Sequence, residues 1–95
     1  MQMKGYYAQS NREISDRLDN SKIKNTDELE FVVFCIENIA ARLQKKPEEI
    51  YLALTEKSDI LYSYVIPEYE ILHTQSKDYI VEDITSLMAE RGIEV

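Results

Sequence analysis

The stretch Leu29–Leu43, LEFVVFCIENIAARL, constrains this chain more than any other. It is the longest apolar-rich run, and its apolar residues recur on a helical period. At about 100° per residue, Leu29, Val32, Val33, Ile36, Ile39, Ala40 and Leu43 gather into one broad stripe. Phe31, Phe34, Cys35 and Ala41 fall outside it, around Asn38 and Arg42. A surface helix with one apolar face does not carry two phenylalanines on its other side. The helix, expected at about residues 26–44, therefore requires cover on more than one side. That cover comes from its own chain, from a partner or from a second copy.

The rest of the chain reads as shorter helices folded against this one. Asn25 or Thr26 can cap it, with Asp27, Glu28 and Glu30 at its positive end. Lys45 and Lys46 suit its C-terminal end, and Pro47 fits the first position of a second helix running to about Lys57. Ile50, Ala53 and Leu54 are its inward residues. Ser58 can cap a third helix, from Asp59 to about Val65. Pro67 is expected to end that helix, because Ile66 before it is biased away from helical angles, and to open a fourth to about Thr74. Tyr69 and Leu72 face inward there. Ser76 caps the last helix, Lys77 to Arg91, whose stripe of Ile80, Val81, Ile84, Leu87 and Met88 is the cleanest in the chain. Gly92 follows as the C′ residue, with Ile93 able to pack behind it. No stretch alternates with period two for long enough to make a strand. The expected fold is all-α, a small bundle of four to five helices packed around the central one.

Charge divides the chain in two. Residues 1–24 carry five basic and three acidic side chains, whereas residues 25–95 carry six basic and fifteen acidic. The first part is a basic N-terminal arm. Its Ser10/Glu13 capping-box spacing and its Ile14 and Leu18 predict one weak helix over about 11–19. Residues 20–25 form a polar linker. The second part is an acidic all-helical domain that repels nucleic-acid phosphates, so no direct nucleic-acid binding is expected. An acidic surface suits either plain solubility or a basic protein partner. No run approaches the roughly 18 apolar residues of a membrane span, and the N-terminus lacks the apolar core of a signal peptide. A soluble cytoplasmic protein is expected. With Cys35 as the one cysteine, an intrachain disulfide is impossible and a thiolate metal site has no ligands.

The residues that could carry chemistry are few. His73 is the one histidine, four residues after Tyr69 on the expected inward side of the fourth helix. A general base needs a reacting group and an orienting partner within reach, and the adjacent Thr74, Gln75 and Ser76 point away from it on a helix. A structural histidine or helix-end cap is the simpler reading. Cys35 in mid-helix reads as a small hydrophobe, with neither a helix N-terminus nor a cation near it in sequence. The carboxylate pairs Glu48/Glu49, Glu68/Glu70 and Glu82/Asp83 sit one or two apart and do not face each other. No Glu-x-x-His motif supports a di-metal bundle. No catalytic residue, metal or cofactor is expected. The seven tyrosines are the unusual count. Tyr62, Tyr64 and Tyr69 bracket Pro67, and Tyr79 lies on the polar flank of the last helix. Tyrosine is enriched at protein interfaces, so this junction, with His73, is the candidate partner-binding surface. Phe31 and Phe34 are candidates for contact with the arm or across a homodimer.

The segments EFVVFCIE (Glu30 to Glu37), ALTEKS (Ala53 to Ser58), YVIPEYEILHTQS (Tyr64 to Ser76) and YIVEDI (Tyr79 to Ile84) resemble a small bacterial family, domain of unknown function 3791. The tyrosine–proline–tyrosine run followed by Leu-His-Thr is the most specific part. The resemblance covers about residues 28–92 and leaves the basic arm outside. It departs at Ser76, where family members often carry glycine. It implies a short helical protein, often encoded beside ADP-ribosyltransferase-like proteins, with no catalytic residues to carry over.

The function expected is a non-catalytic protein-interaction module, antitoxin-like or accessory to an ADP-ribosyltransferase-like protein. Two alternatives stand beside it. One is an acidic inhibitor that blocks a nucleic-acid-binding enzyme, as a phage-borne protein would. The other is a small ligand-binding domain or enzyme using His73 and nearby tyrosines.

Overall fold

The computed structural model describes residues 22–95. The arm's expected helix over 11–19 lies outside the described residues. The long helix α1 spans Thr26–Leu43. It starts where Asn25, with extended backbone, accepts the Glu28 N–H through its side chain at 2.8 Å. Glu28 reciprocates one residue further back, its carboxylate accepting the Lys24 N–H at 2.9 Å. One orphan donor of the helix start and the N–H of the residue before the cap are thereby satisfied, a variant of the capping box. This role accounts for Glu28 being buried at 6% relative exposure. The helix ends at Gln44, the non-glycine residue with positive φ (57°) among the described residues, and Lys45 N–H closes back to Ala40 O at 2.9 Å. That is a Schellman-type stop with glutamine at the position glycine favours.

The buried face of α1 is wider than one stripe. Phe31, Val32, Val33, Cys35, Ile36, Ile39 and Ala40 are all buried. From Phe31 round to Val33 they cover an arc of about 200° at helical periodicity. Phe31 and Cys35, outside the expected stripe, belong to this core, whereas Leu29 and Leu43, expected within it, are only half-buried. The periodicity locates the mean apolar direction. It does not show which residues of the second apolar patch the covering neighbours reach. Phe34 remains beyond the arc at 38% exposure.

The remaining elements wrap this helix. Helix α2, Pro47–Thr55, has Pro47 in its first turn and buries Ile50, Tyr51, Ala53 and Leu54. It stops two residues before the expected Lys57, because Lys57 N–H bonds to Leu52 O and the Ser58 hydroxyl donates to Ala53 O. Ser58 Oγ also accepts the Ile60 N–H at 3.2 Å, which starts the next segment. That segment is a π-helical turn, Leu61–Val65. It ends at the expected Val65, but Pro67 does not turn the chain out of helical angles there. Ile66 keeps helical angles (φ −70°, ψ −47°), and the chain continues through turns into α3, Tyr69–Leu72. Ile66 N–H reaches back five residues to Leu61 O, and Glu68 N–H resumes the four-residue pattern on Tyr64 O, each at 3.0 Å. One wide turn before Pro67 relieves the pressure its ring would exert on the previous turn.

Helix α4, Lys77–Glu90, begins at Ser76, whose hydroxyl accepts the Tyr79 N–H at 3.1 Å. It buries Ile80, Val81, Ile84 and Met88 against the core, while Leu87 is half-buried. Gly92 takes φ 71°, and Ile93 N–H bonds to Met88 O. The packing centres on α1 against α2 and α4. The fold is a small all-α bundle, with no strand among the described residues.

Two substitutions probe this account. Ile36→Ala, in a side chain with no exposure, is expected to lower unfolding free energy by about 2–5 kcal/mol in urea titration. Gln44→Gly relieves the left-handed backbone and is expected to stabilise by up to about 1 kcal/mol in the same measurement.

Candidate functional site: an aromatic groove beside the central helix

The N-terminal half of α1 carries Asp27, Glu30, Phe31 and Phe34 at spacings that place them on one flank. Tyr69 of α3, His73 and Gln75 after it, and Ile80 of α4 face them. Together these residues line an open groove of about 400 Å³. The sequence around Pro67 dictates this placement. The π-turn shifts the helical register so that Tyr69 meets Phe31 while Leu72 enters the core.

Four rings form the apolar wall. Phe31 and Phe34 lie near-parallel with centroids 6.3 Å apart, and Tyr69 and His73 near-parallel at 4.5 Å. The two pairs meet edge to face, Phe31 against Tyr69, at 5.3 Å and 72°. Edge-to-face contact suits the ring quadrupoles. The result is an L-shaped aromatic corner. Asp27 and Glu30 stand at its rim, exposed and without an ion pair among the described residues. The Tyr69 hydroxyl titrates above its ordinary range. Burial is the main cause, and the carboxylates of Asp27, Glu70, Glu28 and Glu30 add to it. The corner is therefore apolar at its wall and negative in potential.

His73 is exposed, not inward as the sequence suggested. Helix α3 is a single turn, and only Leu72 in it is buried; the His73 ring lies outside, stacked on Tyr69. The neighbouring hydroxyls serve helix ends: Thr74 donates to Ile71 O, and Ser76 caps α4.

The remaining tyrosines do not join this groove. Tyr64, half-buried, donates its hydroxyl to Asp83 Oδ2 at 2.5 Å and so ties the π-turn to α4. That bond, then burial, pushes the Tyr64 hydroxyl up to about 12. Tyr62 is half-buried with the Lys22 ammonium 5.3 Å from its ring centre. Tyr79 is 53% exposed on α4. Of the seven candidates, Phe31, Phe34, Tyr69 and His73 converge, whereas Tyr62 and Tyr64 serve other contacts and Tyr79 is exposed. Asp27, Glu30, Gln75 and Ile80 were not foreseen as lining residues. The spacing Asp27-x-x-Glu30-Phe31-x-x-Phe34 is the signal for the first two, to which the sequence reading gives only a helix-dipole role.

Two further features are weaker as sites. A smaller pocket of about 240 Å³ lies between α1 and α4, and of its two cations, Arg42 and Lys77, Arg42 is already paired with Asp78 at 3.0 Å and Glu82 at 3.8 Å. Cys35 is fully enclosed, and burial pushes its thiol up to about 12, far from a reactive thiolate. No three His, Cys, Asp or Glu side chains converge as metal ligands among the described residues. No helix among them is long and apolar enough to cross a membrane.

A family model described as Protein of unknown function (DUF3791) matches residues 30–91. The chain belongs to this family. The matched DUF3791 segment contains every groove residue except Asp27. No curated protein and no solved structure matches the chain.

The Tyr64–Asp83 bond generates a pH prediction. Below pH 10 the tyrosine hydroxyl is protonated in folded and unfolded chains alike, and its contribution to stability is complete. Between the ordinary value of 10.0 and about 12, the unfolded chain loses this proton while the folded chain keeps it. Stability therefore falls as pH rises through that window. Absorbance titration of tyrosinate is expected to show a component near pH 12 that Asp83→Ala shifts to lower pH and Tyr64→Phe removes. Cys35 is expected to resist a thiol-reactive disulfide reagent in the native protein and to react once urea unfolds it.

Proposed function

We propose that the chain is a non-catalytic protein-interaction module that docks a partner at the aromatic corner of Phe31, Phe34, Tyr69 and His73. The observation that carries this reading is the exposed ring of Phe34 in a wall of four aromatics, rimmed by two carboxylates without ion pairs among the described residues. Aromatic side chains in an open, partly apolar groove supply contact area at low entropic cost. A catalytic role for His73 has less support, because its imidazole makes no side-chain hydrogen bond among the described residues that would orient it.

The partner proposed is a protein in the bacterial cytoplasm. The family resemblance suggests an ADP-ribosyltransferase-like protein encoded nearby, with this chain as its antitoxin-like or accessory companion. A second reading is a small-ligand site, favoured by the stacked Tyr69 and His73 in a groove of ligand-sized volume, about 400 Å³. The openness of the groove on one side favours a macromolecular surface over a metabolite.

Tyr64→Ala is a poor test of docking, because it removes the tie to Asp83. Phe34 is the better position. A photo-crosslinking phenylalanine analogue at position 34 is expected to capture a specific protein in the native host, while the same analogue at exposed Glu56 captures none. Phe34→Ala, folded by circular dichroism, is expected to reduce capture of that protein about tenfold or more, as loss of an interface anchor does. Capture unaffected by Phe34→Ala sinks this placement.

A further inference from the structure

We infer that the groove receives an arginine side chain of the partner protein, laid on the aromatic corner with its N–H groups directed at Asp27 and Glu30. The inference rests on the docking reading above and names the chemistry that the face selects. Three observations carry it. The corner sets its rings in two nearly perpendicular planes, one pair at 19° and the other at 15°, with 72° between Phe31 and Tyr69, and each pair carries one exposed ring, Phe34 and His73. A planar cation can stack on one plane while its edge meets the other. The two carboxylates at the rim have no ion pair among the described residues, although Arg42 and Arg91 elsewhere are paired. The local potential is negative, since four carboxylates act on the Tyr69 hydroxyl.

Aromatic faces attract cations through the ring quadrupole, and carboxylates then supply the counter-charge. Guanidinium fits this combination better than ammonium. It is planar, stacks on rings, sheds water more readily and presents a fork of donors matched to carboxylates. A metal ion does not fit, because the wall supplies rings where it would need further oxygen ligands. The helical domain of a second copy fits poorly as well. Residues 25–95 carry nine more acidic than basic side chains, so two such domains repel. Charge complementarity selects a basic segment with apolar flanks.

The test uses the full chain, isotopically labelled, with three short capped peptides as probes. They are Leu-Arg-Leu and its analogues with lysine or with neutral citrulline in the centre. The arginine peptide is expected to shift the amide signals of Glu30, Phe34, His73 and Gln75 saturably. Lysine is expected to bind several-fold more weakly, and citrulline about tenfold more weakly or not at all. The double variant Asp27→Asn, Glu30→Gln is expected to lose the preference for arginine over citrulline while its spectrum stays folded. Equal binding of the citrulline peptide overturns the arginine assignment and leaves the groove as an apolar docking face. Absence of groove shifts with any peptide, while Phe34→Ala still abolishes partner capture, overturns it too and leaves docking standing. If Arg12→Gln or Arg17→Gln shifts the groove signals of the free protein, the occupant is the chain's own arm, and the partner assignment falls.

Discussion

The burial of α1 across about 200° of its circumference is the constraint from which the rest of this structure follows. Ile36, Ile39 and Val32 have no exposure at all, and each such side chain contributes about 1.5–3 kcal/mol by leaving water. No single neighbour can cover so wide an arc. Helices α2 and α4 pack on α1, and α3 brings Tyr69 against Phe31. The chain must therefore turn sharply between short elements. It does so with hydroxyl and backbone stops at Gln44, Ser58 and Ser76, in a sequence that holds only two glycines.

That need to wrap also creates the candidate site. Pro67 would break a straight helix between the π-turn and α3. The wide turn before it keeps the chain helical and changes its register. Tyr69 then lands on Phe31 and His73 lands on Tyr69, while Leu72 takes the core position. The aromatic corner is where the second wall of α1 runs out of cover. Phe34 lies one step past the buried arc and marks its edge. Asp27, in the first turn of α1 where negative charge suits a helix N-terminus, stands beside it with Glu30, three residues further on. One helix end therefore supplies both dipole complement and charged rim.

Much of this was legible in the residues. The apolar spacing of Leu29–Leu43 and of Ile80–Met88 located both long helices, and Pro47, Ser58, Ser76 and Gly92 marked boundaries close to those observed. Those signals are local, made by caps and by a regular period within one segment. The family resemblance over about 28–92 agrees with the match at 30–91. The course through Pro67 was not legible, since a proline's preference for ending a helix is a local bias that packing on both sides can override. Nor were the positions of the tyrosines. Tyr64 meets Asp83 nineteen residues away, and Tyr69 meets Phe31 on another helix.

The sequence by itself determined the helical class, the central helix and the demand that it be covered on more than one side, because period, capping and composition act within a few residues. Only the tertiary structure decided which residues of the second apolar patch became core and which became surface. Phe31 and Cys35 went in and Phe34 stayed at the edge, although all three lay on the same side of the helical wheel. Their fates differ because neighbouring elements close over Phe31 and Cys35 and leave the groove open beside Phe34. Coverage of that kind is a property of the assembled bundle, and no single segment carries it.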